Sequence, residues 1–279
     1  QFDSPSELAA NPIEHMVGNR TYNMPIGTWS DDTALGLAAL TSLSFGFNLS
    51  DLMIRYSQWY QFGDYTLDGR ALDCNQTIVD AIERFRQNQP LATIGGKLEQ
   101  DNGALKRMMP LAFYLLTKRA NHYEFDKNVV DMIHQFTEVT HRNKQCLVAS
   151  GILVNVIISI IRSANKVAML RAVQEALQYY QNTSEFKNIV PVFKHLGEQN
   201  FYLQSSNEIQ ASSNIGDTLN SIFWALITSE QYPQAVKKAV NLGNDVSTIG
   251  ALTSTLASLL FAPVTFPSEW LGVVRCRDH

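Results

Sequence analysis

The chain has 279 residues, of which 45% are hydrophobic and 17% are charged, and its formal net charge is −4 at pH 7. This composition can bury one large core, but it lacks the basic surface that binding to a nucleic-acid backbone requires. Three widely separated cysteines, Cys74, Cys146 and Cys276, provide neither a disulfide framework nor the Cys-x-x-Cys spacing of a zinc site.

Helical periodicity recurs along almost the whole chain, with apolar residues three and four positions apart. No segment alternates polar and apolar residues long enough to predict a strand, and glycine and proline fall between the helical segments. The sequence therefore predicts an all-α fold with a single domain over 1–279. The predicted helices are 32–45, 49–62, 76–88, 104–118, 128–137, 144–163, 167–180, 186–196, 216–227, 232–242 and 248–261.

The most apolar run of the chain, 146–161, is shorter than the roughly 20 residues that span a bilayer, and it contains Ser150 and Asn155. We therefore predict a buried core helix here and no membrane partner. The first residues do not form the basic and then apolar pattern of a secretory signal, so we expect a cytoplasmic protein.

Two polar segments, 4–29 and 63–75, are too long for plain connectors, and long ordered loops often carry function. The second contains Asp73 and leads to Thr77. Both residues are candidates for a pocket, although an ordinary loop role is the simpler interpretation.

The first acidic helix start is Ser30-Asp31-Asp32, which directly precedes an apolar helix. Three consecutive oxygen-bearing side chains are suitable ligands for Mg²⁺. The alternative is a simple cap, in which Ser30 or Asp31 accepts from helix amides and Asp32 complements the helix dipole.

A second start of this kind comprises Asp245, Ser247 and Thr248, followed by a helix rich in small residues. Capping explains this segment on its own as well. Two such starts in one chain favour a metal site more strongly than one does, because facing helices can hold metal ions between them.

Four segments resemble signatures of the ADP-ribosylglycohydrolase family, in the same order along the chain. Residues 27–37 resemble its tryptophan followed by Thr/Ser-Asp-Asp-Thr/Ser, and 241–251 resemble its Gly-Gly-Asp-x-Asp-Thr before a small-residue helix. Between them, 101–110 (Asp-Asn-Gly-Ala-Leu-Lys-Arg-Met-Met-Pro) is similar to Gly-Asn-Gly-x-x-Met-Arg-x-x-Pro, and 140–141 is similar to a threonine–histidine pair.

This resemblance implies a compact orthogonal helical bundle that holds two Mg²⁺ ions. It also implies hydrolysis of an N- or O-glycosidic bond between ADP-ribose and an arginine or serine side chain, or a small acceptor. Position by position, the implied metal ligands are Ser30, Asp31, Asp32, Asp245, Ser247 and Thr248. The implied catalytic residues are Asp31 and Asp32, and the implied ADP-ribose contacts are Asn102, Gly103, Ala104 and His141.

Two departures from the family pattern bear on activity. Ser247 stands where the second signature has an aspartate, which predicts that one of the two metal ions binds weakly or is absent. Gln1-Phe2 stands about where the family's opening helix ends in a glutamate, so we expect that helix either to be missing or to be supplied differently. The alternative functions are therefore a relative that binds ADP-ribose without cleaving it, or an interaction protein that has lost the pocket.

Arg107 is predicted to form a buried structural ion pair rather than to meet a phosphate. The remaining histidines show no spacing suited to a metal or a catalytic base and are interpreted as surface or capping residues: His15, His122, His134, His195 and His279.

Overall fold

The structure, a computed structural model, describes residues 3–119 and 122–275. In this part of the chain there is no β-strand, and only isolated bridges join coil segments, as between Gly96 and His141. The predicted all-α class is confirmed. The helices are α1 (Pro5–Ala10), α2 (Asp31–Ser44), α3 (Leu49–Phe62), α4 (Gln76–Arg86), α5 (Leu91–Ile94), α6 (Met108–Arg119), α7 (Lys127–Glu138), α8 (Lys144–Ser163), α9 (Lys166–Gln181), α10 (Val190–Phe193), α11 (Ile215–Ile227), α12 (Tyr232–Val240), α13 (Val246–Leu260) and α14 (Ser268–Leu271).

Helix α8 lies at the centre of the bundle, where it packs against α6, α7, α9, α11 and α13. By length and composition it could cross a membrane, with a mean hydropathy of 2.0, but 78% of its apolar window is buried inside the protein. The predicted core helix is confirmed. Gly151 lets α9 approach closely, because a Cβ there would lie 1.9 Å from the Tyr180 hydroxyl oxygen.

Helix α2 carries the first acidic start and packs against α3, α6 and α13. Its buried face is built from small and apolar side chains, including Ala34, Leu35, Ala38 and Ala39. These small side chains allow close helix approach, and the contact with α13 brings the two oxygen-rich helix starts into the same part of the bundle.

Two of the differences between the predicted and the observed helices have clear local reasons. Residues 5–10 form α1 inside a segment predicted as loop, because Ser4 and Glu7 make a reciprocal capping box. The predicted helix 186–196 is divided into turns, α10 and a short 3₁₀ helix. Pro191 lies there and has no amide hydrogen with which to continue an α-helical ladder.

Three core predictions have different outcomes. The sequence predicts that the aromatic group Tyr56, Trp59, Tyr60 and Phe62 lies in the core; Tyr56 and Trp59 are fully buried, but Phe62 is 69% exposed. His134, predicted as a surface or capping residue, is buried instead, and its Nε2 lies 3.0 Å from the Tyr180 hydroxyl. Arg107 is buried, but the predicted ion pair is wrong: within the described residues it donates to carbonyls and to the Thr140 hydroxyl, not to a carboxylate.

Candidate metal centre and active site

The start of α2 places two carboxylates where water is almost excluded. Asp31 is fully buried and Asp32 is 8% exposed, and both lie in the first turn, where the helix dipole favours negative charge. Ser30 precedes them in an extended conformation, yet its hydroxyl does not cap the helix. It donates to Asp32 Oδ2 at 3.0 Å instead, so this serine orients a carboxylate.

A third carboxylate, that of Asp73, joins this pair from the loop before α4. One oxygen from each of Asp31, Asp32 and Asp73 lies within 4.8 Å of the others, and we call these three residues the acidic group. Asp73 has a φ of 57°, a left-handed conformation that aspartate adopts more readily than most residues. Its Oδ1 accepts a hydrogen bond from the Tyr22 hydroxyl at 2.7 Å.

The acidic group has the donor chemistry of a divalent cation site. All of its ligand atoms are hard oxygens, and Asp32 Oδ1 is buried without a hydrogen-bond partner. A buried carboxylate oxygen in this state is unfavourable unless a cation compensates it, and the ammonium of Lys106 lies 3.6 Å away, beyond hydrogen-bond distance. The residues present therefore fit a bound metal ion.

Lys106 enters the same group from the turn before α6. Its Nζ lies 2.7 and 2.8 Å from the two oxygens of Asp31 and 3.6 Å from Asp32 Oδ1, and its side chain is 5% exposed. Burial alone would lower the pKa of Lys106, but Asp32 and Asp31 outweigh it and hold that pKa above its usual value. The side chain is therefore an ammonium held by carboxylates.

Burial raises the pKa of Asp31, and the Lys106 ammonium opposes this shift. Two short contacts to one ammonium make the charged ion pair the favoured state. Sequence analysis missed Lys106, although a signal was present: it stands where the resembled segment has a methionine.

The second helix start reaches the first through a hydroxyl. Ser247 Oγ lies 3.3 Å from Asp32 Oδ2, although 215 positions separate the two residues in the chain. Asp245 accepts a hydrogen bond from Asn102 Nδ2 at 3.1 Å, and burial raises the pKa of its carboxyl. Thr248 is buried in the first turn of α13.

The two helix starts thus meet, as expected, but not all of their predicted ligands come together. Ser30, Asp31, Asp32 and Ser247 come together around one point, whereas Asp245 is not among the carboxylates of the acidic group. As metal ligands, Asp245, Ser247 and Thr248 stay predictions.

A separate buried network surrounds Asp101. Its carboxylate accepts hydrogen bonds from Asn75, Thr77 and the Gly103 amide at 2.8, 2.6 and 3.1 Å, and its Oδ1 lies 2.9 Å from His141 Nε2. Burial raises the pKa of Asp101, but the hydrogen bonds, led by that of His141, outweigh it and lower the pKa. We call these residues the Asp101 network.

A cavity of about 440 Å³ opens beside the acidic group. Part of its wall comes from the segment between α1 and α2, including Tyr22 and Trp29, and part from α12 and α13. Asp32 and Ser247 lie in this wall as well. The cavity therefore gives a ligand direct access to one carboxylate of the acidic group.

The predicted ADP-ribose contacts Asn102, Gly103, Ala104 and His141 do not line this cavity, and all four are buried. Asn102 donates to both Asp245 and the Thr218 hydroxyl, and His141 belongs to the Asp101 network. Their role as substrate contacts stays a prediction. Gln1-Phe2, the position of the expected family glutamate, lies outside the described residues, as do Cys276 and His279.

Comparison with known proteins finds relatives along nearly the whole chain. Over 276 residues the chain is 24% identical to "ADP-ribosylarginine hydrolase Tri1" of Pseudomonas putida (strain GB-1), covering 96% of this chain and 68% of that protein. It is also 24% identical to the protein of the same name in Serratia proteamaculans (strain 568), covering 93% and 66%. The chain thus spans about two thirds of the length of these relatives.

A solved structure named "ADP-ribosylglycohydrolase-related protein complex" matches with a TM-score of 0.74 and 24% identity, over 96% of this chain and 83% of that one. This likeness shows the fold. The family model for ADP-ribosylglycohydrolase matches residues 1–279. A match of that extent, together with the helical bundle and its buried acidic helix start, shows that this chain belongs to the ADP-ribosylglycohydrolase family.

Proposed function

We propose that this chain is a Mg²⁺-dependent hydrolase that cleaves the glycosidic bond between ADP-ribose and an arginine side chain. The observation that carries the proposal is the acidic group, with one of its carboxylates, Asp32, in the wall of a cavity of about 440 Å³. The names of the two bacterial relatives favour arginine as the acceptor.

The cavity suits a ligand of this size and chemistry. Its volume lies within the range of small-molecule sites, and Tyr22, Trp29, Tyr232 and Trp270 offer flat apolar surfaces for a base or a ribose. The diphosphate of ADP-ribose is itself anionic. Beside an acidic group it would be repelled unless a cation lay between them, which supports a metal-dependent site.

The proposed role of each side chain depends on its access to the cavity. Asp32 and Asp73 would hold the cation, with the hydroxyls of Ser30 and Ser247 beside Asp32. When bound, Mg²⁺ supplies Lewis acidity, which lowers the pKa of a coordinated water and polarises ribose oxygens.

In this proposal Asp32 accepts a proton from the attacking water, because Asp31 is fully buried and occupied by Lys106. Water adds to the anomeric carbon, the bond to the guanidino nitrogen breaks, and that nitrogen leaves with the proton. The carboxylates stabilise the positive charge that develops on the ribose.

The experiment is release of ADP-ribose from arginine-ADP-ribosylated protein, with Mg²⁺ and with a chelator. Serine-ADP-ribosylated protein serves as the matched substrate control. We expect Mg²⁺-dependent release of ADP-ribose from the arginine conjugate. Absence of release from both substrates at saturating Mg²⁺ would overturn the proposal.

A second candidate function is binding of ADP-ribose or ADP-ribosylated protein without cleavage. Ser247 in place of an aspartate, and the ion pair that occupies Asp31, favour it. Binding measured by calorimetry with no release would support this candidate, while neither binding nor release would leave an interaction protein without a working pocket.

A further inference from the structure

Lys106 is the cation that the acidic group already contains. Its ammonium contacts both oxygens of Asp31 and lies 3.6 Å from Asp32 Oδ1. Burying an ammonium is strongly unfavourable unless carboxylates compensate it. The carboxylates of Asp31 and Asp32 meet that requirement, so they attract this charge as they would attract a metal ion.

The sequence around Lys106 shows which residue of the family segment this lysine replaces. Residues 102–110 resemble the family segment Asn-Gly-x-x-Met-Arg-x-x-Pro, except that Lys106 stands where that segment has its methionine. A neutral thioether brings no charge to the centre, whereas lysine adds one positive charge beside Asp31. The second departure, Ser247, removes one negative charge from the facing helix start. Both changes reduce the net negative charge that bound cations would have to neutralise.

The charge balance points the same way. Asp31, Asp32 and Asp73, together with one ammonium, carry a net charge of −2 when all are ionised. Two divalent cations would bring four positive charges to this buried volume, and each would be repelled by the ammonium. One divalent cation brings the acidic group and the ammonium to neutrality, whereas two leave them with a net charge of +2.

We propose that the Lys106 ammonium takes the place of one of the two divalent cations, so that this centre binds a single divalent cation through Asp32 and Asp73. Asp31 then serves the ammonium rather than a metal ion. The inference rests on the proposed function only in requiring a metal centre, and it holds whether or not the chain cleaves its ligand.

The test is the number of Mn²⁺ ions bound by the full chain, measured by electron paramagnetic resonance and by calorimetry. The wild-type chain is expected to bind one equivalent, without the dipolar coupling of a metal pair. Two equivalents with a coupled signal would overturn the inference, as would no binding. This measurement needs no variant and so does not depend on the folding of one.

Lys106→Met restores the neutral residue of the resembled segment. We expect it to bind a second equivalent of Mn²⁺, or to bind the first about tenfold or more tightly, because a repulsive charge within a few ångströms has been removed. Lys127→Met is the matched control, since Lys127 is exposed and pairs with Asp131 away from the centre. Lys106→Gln replaces the methionine variant if that one does not fold.

Binding by Lys106→Met that equals wild type in number and affinity would contradict the inference. Release of ADP-ribose is assayed separately, so the two proposals fail independently. One bound ion without release overturns only the proposed hydrolysis, and two bound ions with release overturn only the role of Lys106.

Discussion

The acidic group and the Asp101 network are two buried clusters that treat their carboxylates in opposite ways. Asp101 is fully satisfied by four donors that belong to the protein, and these lower the pKa of its carboxyl. Asp32, in the acidic group, keeps one buried oxygen without a hydrogen-bond partner. Satisfied polar networks stabilise a fold, whereas an unsatisfied buried group indicates a place for a ligand.

Asp32→Asn is expected to have the largest effect and to test the functional side of this comparison. The amide cannot accept a proton from water and is a poorer metal ligand, so release of ADP-ribose should fall by about 10³-fold or more. The measurement is kcat/KM for the arginine conjugate at saturating Mg²⁺. Asp131→Asn, an exposed aspartate paired with Lys127, is the control and should leave kcat/KM unchanged.

Asp101→Ala tests the structural side. It removes the acceptor of four donors, and we expect the free energy of unfolding to fall by about 3 kcal/mol. Urea denaturation measures this loss. Mg²⁺ affinity of the folded variant should stay within about threefold of wild type. A variant as stable as wild type but unable to bind Mg²⁺ would reverse the assignment of the two clusters.

A third buried group, His134, is expected to lose its contribution to stability at a higher pH than the Asp101 network does. Burial lowers the pKa of His134 to about 4, so the folded protein keeps this side chain neutral while the unfolded chain binds a proton below about pH 6.5. Its contribution to stability is present above that pH and is lost as the pH falls towards 4. The expected loss between pH 7 and 4.5 is about 2 kcal/mol.

His134→Gln cannot titrate, so its unfolding free energy should change less over this range than that of wild type. The Asp101 carboxylate, whose pKa is lowered, contributes above its unfolded value and loses its contribution only at still lower pH. Identical slopes for wild type and His134→Gln would contradict the assignment of the first loss to His134.

Ser247→Asp is expected to give the smallest effect. A carboxylate at this position would lie beside Asp32, where the present hydroxyl lies 3.3 Å from Oδ2. Repulsion should lower the melting temperature of the metal-free protein, and Mg²⁺ should bind about tenfold more tightly. Ser254→Asp, at a half-buried position of the same helix in the cavity wall, is the control for added charge alone.

Much of the fold follows from local periodicity. The predicted helices 49–62 and 144–163 have the same bounds as α3 and α8, because each has a regular apolar pattern and an asparagine cap at its start. Helix α1 was missed because six residues carry too little periodicity, and only the spacing of Ser4 and Glu7 signals its start.

The residues themselves predicted the part of the site where neighbours in sequence are also neighbours in space, and the family resemblance added the distant Ser247. Ser30, Asp31 and Asp32 are adjacent in the chain, so their meeting needed no knowledge of the fold. Lys106 lies 75 positions from Asp31, and Asp73 reaches the group through a left-handed turn that periodicity does not indicate. Such contacts depend on how α2, α6 and the loop before α4 pack, which local patterns do not determine.

The cavity wall between α1 and α2 is coil, yet both of its ends are fastened to the bundle. Near one end, the Asn241 side chain bonds the Ile13 backbone amide and carbonyl, and near the other the Gly27 carbonyl accepts from the Arg275 amide. The carboxylates belong to other elements. Under the proposed function, changes in this coil would alter which conjugate enters the cavity while the carboxylates keep their places.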